Sequence, residues 1–371
     1  SSQHAELSDK LERIKNSISW KITSPLRFLR RVTLDRFFAS NPNPALAGFD
    51  PKIYLELNPD LKKIFGKDIL AAKKHYLMHG IGEGRPSNLS LNNNGDYERW
   101  LDLYDKINYE DLRSRAAVLK RKKKKICFSI ILPVFNPRIS HLSKALDSVL
   151  NQVYENWELC IADDASTDQK VISLLKKYQA EDSRIKISFR RKNGHISESS
   201  NTAIGKSTGD YLVFLDHDDE LRPHSLLCLA ETLHDFPKLR FIYSDEDKID
   251  DKGKLSAPYF KPDWNPDLLI GQNYICHLSC VDRELILQVG GFRKGYEGSQ
   301  DWDLFLRVTS ILKDEEIFHL SKVLYHWRAH KSSTAKNMSS KSYAVTAAKK
   351  CIQDHLKRKN IKGRVDCLDA K

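Results

Sequence analysis

Three acidic residues and a histidine in a row, Asp216-His217-Asp218-Asp219, follow the apolar run Tyr211-Leu212-Val213-Phe214-Leu215. Asp216 and Asp218, two apart as the chain leaves a strand, can converge on one hard cation through carboxylate oxygens. Carboxylates alone leave positions of Mg2+ or Mn2+ open for a diphosphate, whose developing charge the ion would stabilise on departure. The competing reading is that Asp218, Asp219 and Glu220 cap a helix beginning near Pro223. A second acidic string, Asp163-Asp164-Ala165-Ser166-Thr167-Asp168, is equally two-sided. Asp164 either accepts the imide N–H of a uracil base, as an ionised carboxylate can, or shares with Ser166 the capping of the next helix. Phe135 either stacks on that base or packs. Asp301, in Gln300-Asp301-Trp302-Asp303-Leu304, is a helix cap or a general base for an attacking hydroxyl. In Tyr325-His326-Trp327-Arg328-Ala329-His330, two histidines and an arginine in a polar loop after a short strand suit a metal ligand or a diphosphate contact.

These groups need a scaffold that brings them together. From Cys127 onward strands alternate with helices: strands at 128–134, 157–162, 185–189 and 211–215, and helices at 141–150, 169–178 and 197–204. In 141–150 the residues Leu142, Ala145, Leu146, Val149 and Leu150 form one apolar face. Such alternation predicts a mostly parallel, doubly wound α/β sheet, in which ligands bind beyond the carboxyl ends of the strands. The acidic strings fall at those ends. No glycine-rich phosphate loop follows the first strand, which argues against a dinucleotide dehydrogenase, a P-loop ATPase or a sugar nucleotidyltransferase.

Upstream the organisation differs. Residues 1–40 read as a basic helical lead, with Leu7, Leu11, Ile14 and Ile18 at near-helical spacing, suited to a membrane surface or a neighbouring domain. Residues 41–90 read as a small helical module, 91–125 as a helical basic linker, 126–340 as the main domain and 341–371 as a C-terminal helix and tail. The stretch from Ser256 to Asn273, including Trp264, is expected to meet an acceptor.

The chain has 371 residues and a formal net charge of +12. Much of that excess sits in Lys120-Arg121-Lys122-Lys123-Lys124-Lys125, which is a solvated linker or is drawn to anionic lipid or phosphorylated substrates. No nucleic-acid-binding pattern accompanies it. Seven scattered cysteines suggest reduced thiols and a cytoplasmic protein, with peripheral contact at the inner face of the cell membrane through the basic segments. Cys276 and Cys280 flank His277 at a spacing that matches no common zinc pattern. A start at Ser1-Ser2 rather than Met is expected of a piece of a longer chain.

Taken in order, Ile131-Leu132-Pro133-Val134-Phe135-Asn136, the Asp163 to Asp168 string, Asn193-Gly194-His195-Ile196-Ser197 leading to Asn201, Gly209-Asp210-Tyr211 running into Asp216-His217-Asp218-Asp219, Gln300-Asp301-Trp302-Asp303-Leu304 and His326-Trp327-Arg328 resemble the family 2 glycosyltransferases of GT-A fold. The resemblance covers roughly 128–335. It implies a Rossmann-like, mostly parallel sheet flanked by helices, and an inverting, hexosyltransferase-like enzyme dependent on Mn2+ or Mg2+. The donor implied is a UDP- or dTDP-sugar, and the acceptor a glycan or lipid-linked glycan. It further implies that Pro133, Phe135, Asp164, Asn201, Asp216 and His217 bind the nucleotide sugar, that Asp218 holds metal with His326 or His330, and that Asp301 is the catalytic base. Where the family often has Glu before that Asp, this chain has Gln300. Ser19 to Arg27, and Asn58-Pro59-Asp60-Leu61 with His75-Tyr76 and Gly82-Glu83-Gly84-Arg85, resemble segments of multidomain bacterial polysaccharide enzymes, implying cell-envelope polysaccharide synthesis. The alternative is a catalytically inactive module of the same fold that docks a partner or a membrane.

Overall fold

The computed structural model describes residues 49, 51–66, 68–81, 83, 85, 87, 96–329 and 342–366. The basic lead expected over 1–40 and His330 lie outside the described residues. The chain divides into two units, one ending at Lys106 and the other beginning at Ile107.

In the first unit, three short helices follow one another, α1 (Pro51–Leu57), α2 (Pro59–Phe65) and α3 (Ile69–His75), with a π-helical turn at Tyr76–Gly80. Pro59 suits the first turn of α2, where its missing N–H has no helical partner to lose. Asp68 caps α3 by accepting the Ala71 N–H at 2.9 Å. Tyr54, Leu55, Leu61, Ala72 and Tyr76 form the core, and Phe49 stacks on Tyr76 with centroids 4.0 Å apart. Arg85 pairs with Asp60 at 2.7 Å and with Glu83, which ties the start of α2 to the segment after the π-helical turn. Helix α4 (Asp96–Tyr104) follows.

The second unit opens with α5 (Tyr109–Lys120), capped by Asn108, and then alternates: β1 (Phe128–Val134), α6 (Ile139–Leu150), β2 (Trp157–Asp163), α7 (Gln169–Glu181), β3 (Ile185–Phe189), α8 (His195–Ile204) and β4 (Tyr211–Phe214). These are the predicted elements, with helix ends extended by two or three residues. After β5 (Glu220–Leu221) come α9 (Ser225–Asp235), β6 (Phe241–Ile249), β7 (Leu255–Tyr259), α10 (Pro266–Gly271), β8 (Ser279–Asp282), α11 (Arg283–Gln288), α12 (Gln300–Thr309), β9 (Ile317–Arg328) and α13 (Ser342–Arg358). Among the described residues the sheet has nine strands, in the order β3-β2-β1-β4-β8-β6-β9-β5, with β7 on β6. β3, β2, β1 and β4 are parallel, as helical crossovers require. Beyond them β8 runs antiparallel to both β4 and β6, while β6 and β9 are parallel. The sheet is thus mixed, with its parallel half carrying the expected strand ends.

Side chains of β1 alternate between two cores, as a pleated strand dictates. Phe128, Ile130, Leu132 and Val134 join Leu142, Leu146 and Val149 of α6 on one face. Ile131 joins Ala203, Ile204, Leu304 and Phe305 on the other. At the amino ends of these strands, Gly209 lies so close that a Cβ there would sit 2.7 Å from both the Cys127 carbonyl and the Ser129 hydroxyl. Asp210 accepts the Cys127 N–H at 2.8 Å. Gly209 and Asp210 therefore lock the base of β1, remote from the strands' carboxyl ends.

One predicted element is corrected. Tyr325 to Arg328 do not lie in a loop after a short strand but within the twelve-residue β9, paired along β6 as far as Ile249↔Arg328. The partner strand β6 supplies the ladder that the polar composition of this segment conceals.

Candidate active site

The register of the parallel strands sets Val134 beside Asp163 and Ile131 beside Phe214, so three loops leave one sheet edge together. Two of these loops are stitched by Asn136, at φ +43°, whose N–H donates to Ser166 Oγ at 2.9 Å and whose Oδ1 accepts the Thr167 N–H at 2.8 Å. Phe135 beside it remains 44 % exposed, open to a flat ligand. His217 Nδ1 lies 3.3 Å from the Pro133 carbonyl and connects the third loop to the first.

Asp164 is buried, 2.7 Å from Arg190 Nε, and its two oxygens accept the Gly194 N–H at 3.0 and 3.1 Å. The following helix α7 is capped instead by Asp168, which accepts the Lys170 N–H. The neighbouring Asp163 spends Oδ2 on the Ser166 N–H, while its buried Oδ1 has no hydrogen-bond partner among the described residues.

The acidic cluster divides by task. Asp219 is an internal anchor: Oδ1 accepts the Arg328 N–H at 2.7 Å, and Oδ2 accepts the Tyr325 hydroxyl at 2.6 Å. Arg328, fully buried, donates from Nε to the Asp218 carbonyl at 2.7 Å and pairs with Glu220. Helix capping is not the cluster's role, because α9 begins at Ser225 with His224 at its cap and no side-chain cap bond. Asp216 keeps a side chain 40 % exposed, with Oδ2 3.9 Å from His277 Nε2. Carboxylate oxygens of Asp216 and Asp219 and a ring nitrogen of His277 lie within 4.8 Å of one another. Crowding by surrounding protein atoms pushes the partly exposed Asp216 carboxyl upward, His277 opposes it, and Asp218 adds to the rise. Burial, then the charges of Asp218 and Asp216, hold Asp219 well above the usual carboxylate range.

Asp301 lies in the first turn of α12, which starts after Ser299. Gln300 Nε2 donates to Asp301 Oδ2 at 3.1 Å, and Gln300 Oε1 in turn accepts the Gly298 N–H at 2.7 Å. Burial pushes Asp301 up to about 6, against the opposing influence of His277 and with a further rise from Asp216. One cavity is lined by Pro133, Phe214, Asp216, Cys276, His277 and Asp301. A carboxylate of the strand edge and the raised Asp301 carboxyl thus share one cavity with an imidazole.

Other expected residues are placed elsewhere. Asn201 turns both ends of its amide to the Phe292 backbone, Oδ1 accepting its N–H and Nδ2 donating to its carbonyl, both at 2.8 Å. A side chain at Gly291, φ +65°, would strike the Asn201 amide, so this pair holds a tight turn. His326 Nδ1 bonds to Asp247, a fully buried residue of β6, and is not in the Asp216–Asp219–His277 group. Trp264 Nε1 donates to Asp314 at 2.8 Å. His277 is the residue that sequence reasoning passed over. Its one signal was proximity to Cys276 and Cys280, and Cys280 is buried in the core on β8.

The donor set suits a divalent cation. Two ligand atoms each about 2.1 Å from one ion lie roughly 3–4 Å apart, and the Asp216–His277 separation is 3.9 Å. The basic run from Lys120 to Lys125 is exposed, with Lys120 3.0 Å from Glu155. Among the described residues, no helix is long and apolar enough to cross a membrane.

Residues 129–290 match the model of glycosyl transferase family 2. The protein y4gI of Sinorhizobium fredii is 44% identical over 243 residues, which are 66% of this chain and 27% of that protein. The O-antigen biosynthesis protein RfbC of Myxococcus xanthus is 34% identical over 263 residues, 71% of this chain and 20% of RfbC. This chain therefore spans less than a third of the length of either relative. Its fold is similar to that of S. aureus TarS in complex with UDP-GlcNAc, with a TM-score of 0.51 at 18% identity over 62% of this chain and 66% of that one.

Proposed function

Since the chain belongs to glycosyl transferase family 2 through residues 129–290, we propose that it moves a sugar from a nucleoside-diphosphate donor to a hydroxyl of a growing glycan, with inversion at the anomeric carbon. The observation that carries this reading is the convergence of Asp216, His277 and Asp301 on one small cavity at the carboxyl ends of the strands. Phe135, exposed at the end of β1, stacks on the base, with Pro133 and Asp164 lining that end. His217 and Asn201 hold the loops around the donor. Asp301 takes the proton from the acceptor hydroxyl as its oxygen attacks the anomeric carbon. The bond from that carbon to the diphosphate oxygen breaks, and the nucleoside diphosphate leaves with the electron pair. A carboxylate held near pH 6 by burial is a stronger base than an exposed one, yet ionised at neutral pH.

Of the Asp216–Asp219–His277 group, Asp216 and His277 are the residues that would hold a divalent cation, Mn2+ or Mg2+, since both Asp219 oxygens are spent on Tyr325 and Arg328; Asp218, His326 and His330 are the further ligands that the family pattern suggests. Such an ion supplies positive charge against the leaving diphosphate. An imidazole in the set favours Mn2+ over Mg2+, which prefers oxygen ligands. The name of RfbC supports a cell-surface polysaccharide as the acceptor class, and the exposed lysine run supports contact with an anionic membrane surface.

The test is incubation with a panel of UDP- and dTDP-sugars, Mn2+ and glycan acceptors, following nucleoside diphosphate release and the anomeric configuration of the product by NMR. Release with an inverted product is expected. Retention of configuration would remove the single displacement, and donor binding without transfer or hydrolysis on any donor would favour the scaffold reading.

A further inference from the structure

We propose that the buried Glu246–Lys261 ion pair is a positioning device that sets the His277 imidazole against Asp216; this rests on the reading of His277 as a cation ligand. The Lys261 side chain has no exposed surface, and its ammonium lies 3.0 Å from Glu246 Oε2. Its remaining bonds go to the carbonyl of Ile275, at 2.7 Å, and to that of His277. Glu246 Oε2 also faces the His277 N–H at 3.3 Å. All three ammonium donors are thus spent, two of them on the backbone that carries the imidazole.

A buried ion pair costs desolvation that apolar residues of the same size would avoid, so it contributes little to stability as such. What it does here is grip both sides of Cys276, which sits at φ +28°, a left-handed conformation that costs a non-glycine residue free energy unless its surroundings hold it. The grip is tied into the sheet, because the Lys261 N–H donates to Asp245 on β6, and Asp245 also bonds His319 of β9 at 2.8 Å. A metal-ligating histidine is ordinarily oriented by a hydrogen bond from its second ring nitrogen. In His277 that nitrogen, Nδ1, is buried without a hydrogen-bond partner among the described residues. The ring's orientation therefore comes from its backbone, held by Glu246 and Lys261, and from the face of Tyr325.

The experiment uses the full chain loaded with Mn2+ and reads two quantities, Mn2+ affinity by EPR titration and the 14N coupling of the bound ion by pulsed EPR. Wild type should show coupling to one imidazole, and His277→Ala should lose it. Lys261→Met should weaken Mn2+ binding by about 10- to 100-fold, as removal of a ligand's orienting partner does, and should diminish the 14N coupling. Adding Lys261→Met to His277→Ala should weaken binding no further. Glu246→Gln keeps the shape of the pair and should shift both readouts the same way by less; if Lys261→Met does not fold, as metal-free melting would show, Glu246→Gln carries the test. Wild-type affinity with undiminished coupling in the folded variants overturns the positioning role. Absence of 14N coupling in wild type would instead remove His277 from the cation site, a failure of the underlying reading.

Discussion

The His277 imidazole lies flat on the phenol ring of Tyr325, with centroids 4.6 Å apart and ring planes 13° apart, while the Tyr325 hydroxyl donates to Asp219. One side chain of β9 thus supports both the imidazole and the acidic loop after β4. It also accepts the Asp216 N–H at 3.2 Å. Strand and loop are separated by about a hundred residues of sequence, and meet only because β9 reaches the sheet edge.

Tyr325→Phe should keep the stacking and leave a buried Asp219 oxygen short of its donor, at a cost of about 1–3 kcal/mol. Arg328→Met should cost about 2–3 kcal/mol, at or below the low end for broken buried pairs because Glu220 is partly exposed. Urea unfolding measures both. Stability equal to wild type in either variant would show that the Asp219 and Glu220 bonds do not carry the loop.

Asp301→Asn should lower kcat by about 10²- to 10⁴-fold while leaving donor affinity intact, the range expected for loss of a general base. The base works deprotonated, so kcat/KM of the wild type should rise with pH through about 6 and level off above it. A flat profile between pH 5 and 8 would place the base elsewhere.

Removing metal with EDTA should weaken donor binding, and Mn2+ should restore it. Asp216→Asn should cut Mn2+-dependent donor affinity by on the order of tenfold or more, tenfold being 1.4 kcal/mol, with little change in metal-free affinity. Isothermal titration with and without Mn2+ separates the two, and equal losses in both would assign Asp216 to the sugar or ribose rather than the ion.

Glu158 couples stability to pH. Burial pushes its carboxyl up, but bonds from Lys186, Ser129 and Thr208 outweigh that and hold it down at about 2. A folded-state pKa below the unfolded value of 4.5 contributes stability fully present above pH 4.5 and lost as pH falls toward 2. The contribution is on the order of 3 kcal/mol. Glu158→Gln should therefore lower the unfolding free energy at pH 7 and flatten its decline between pH 5 and 3; a wild-type slope in the variant would refute the assignment.

Local sequence determined the parallel half of the sheet. The apolar runs at 128–134 and 211–215, and the stripe Leu142-Leu146-Val149, have periods that only strands and one helical face satisfy. Their polar ends mark the ligand edge by chain direction alone. The place of Asp301 in the first turn of an amphipathic helix was legible for a similar reason. Which carboxylate does what was not legible, because partners distant in sequence decide it. Asp219 became an anchor through Tyr325 and Arg328, Asn201 became a brace for Phe292, and β9 hid in a polar segment whose ladder partner is β6. His277 entered the site because Glu246 and Lys261 hold its backbone beside Asp216. The amino-acid sequence by itself determined which strand ends carry the acidic strings, since strand direction and periodicity are local; the tertiary structure decided which of those residues are anchors and which share a cavity, since burial and hydrogen-bond partners come from elsewhere in the chain.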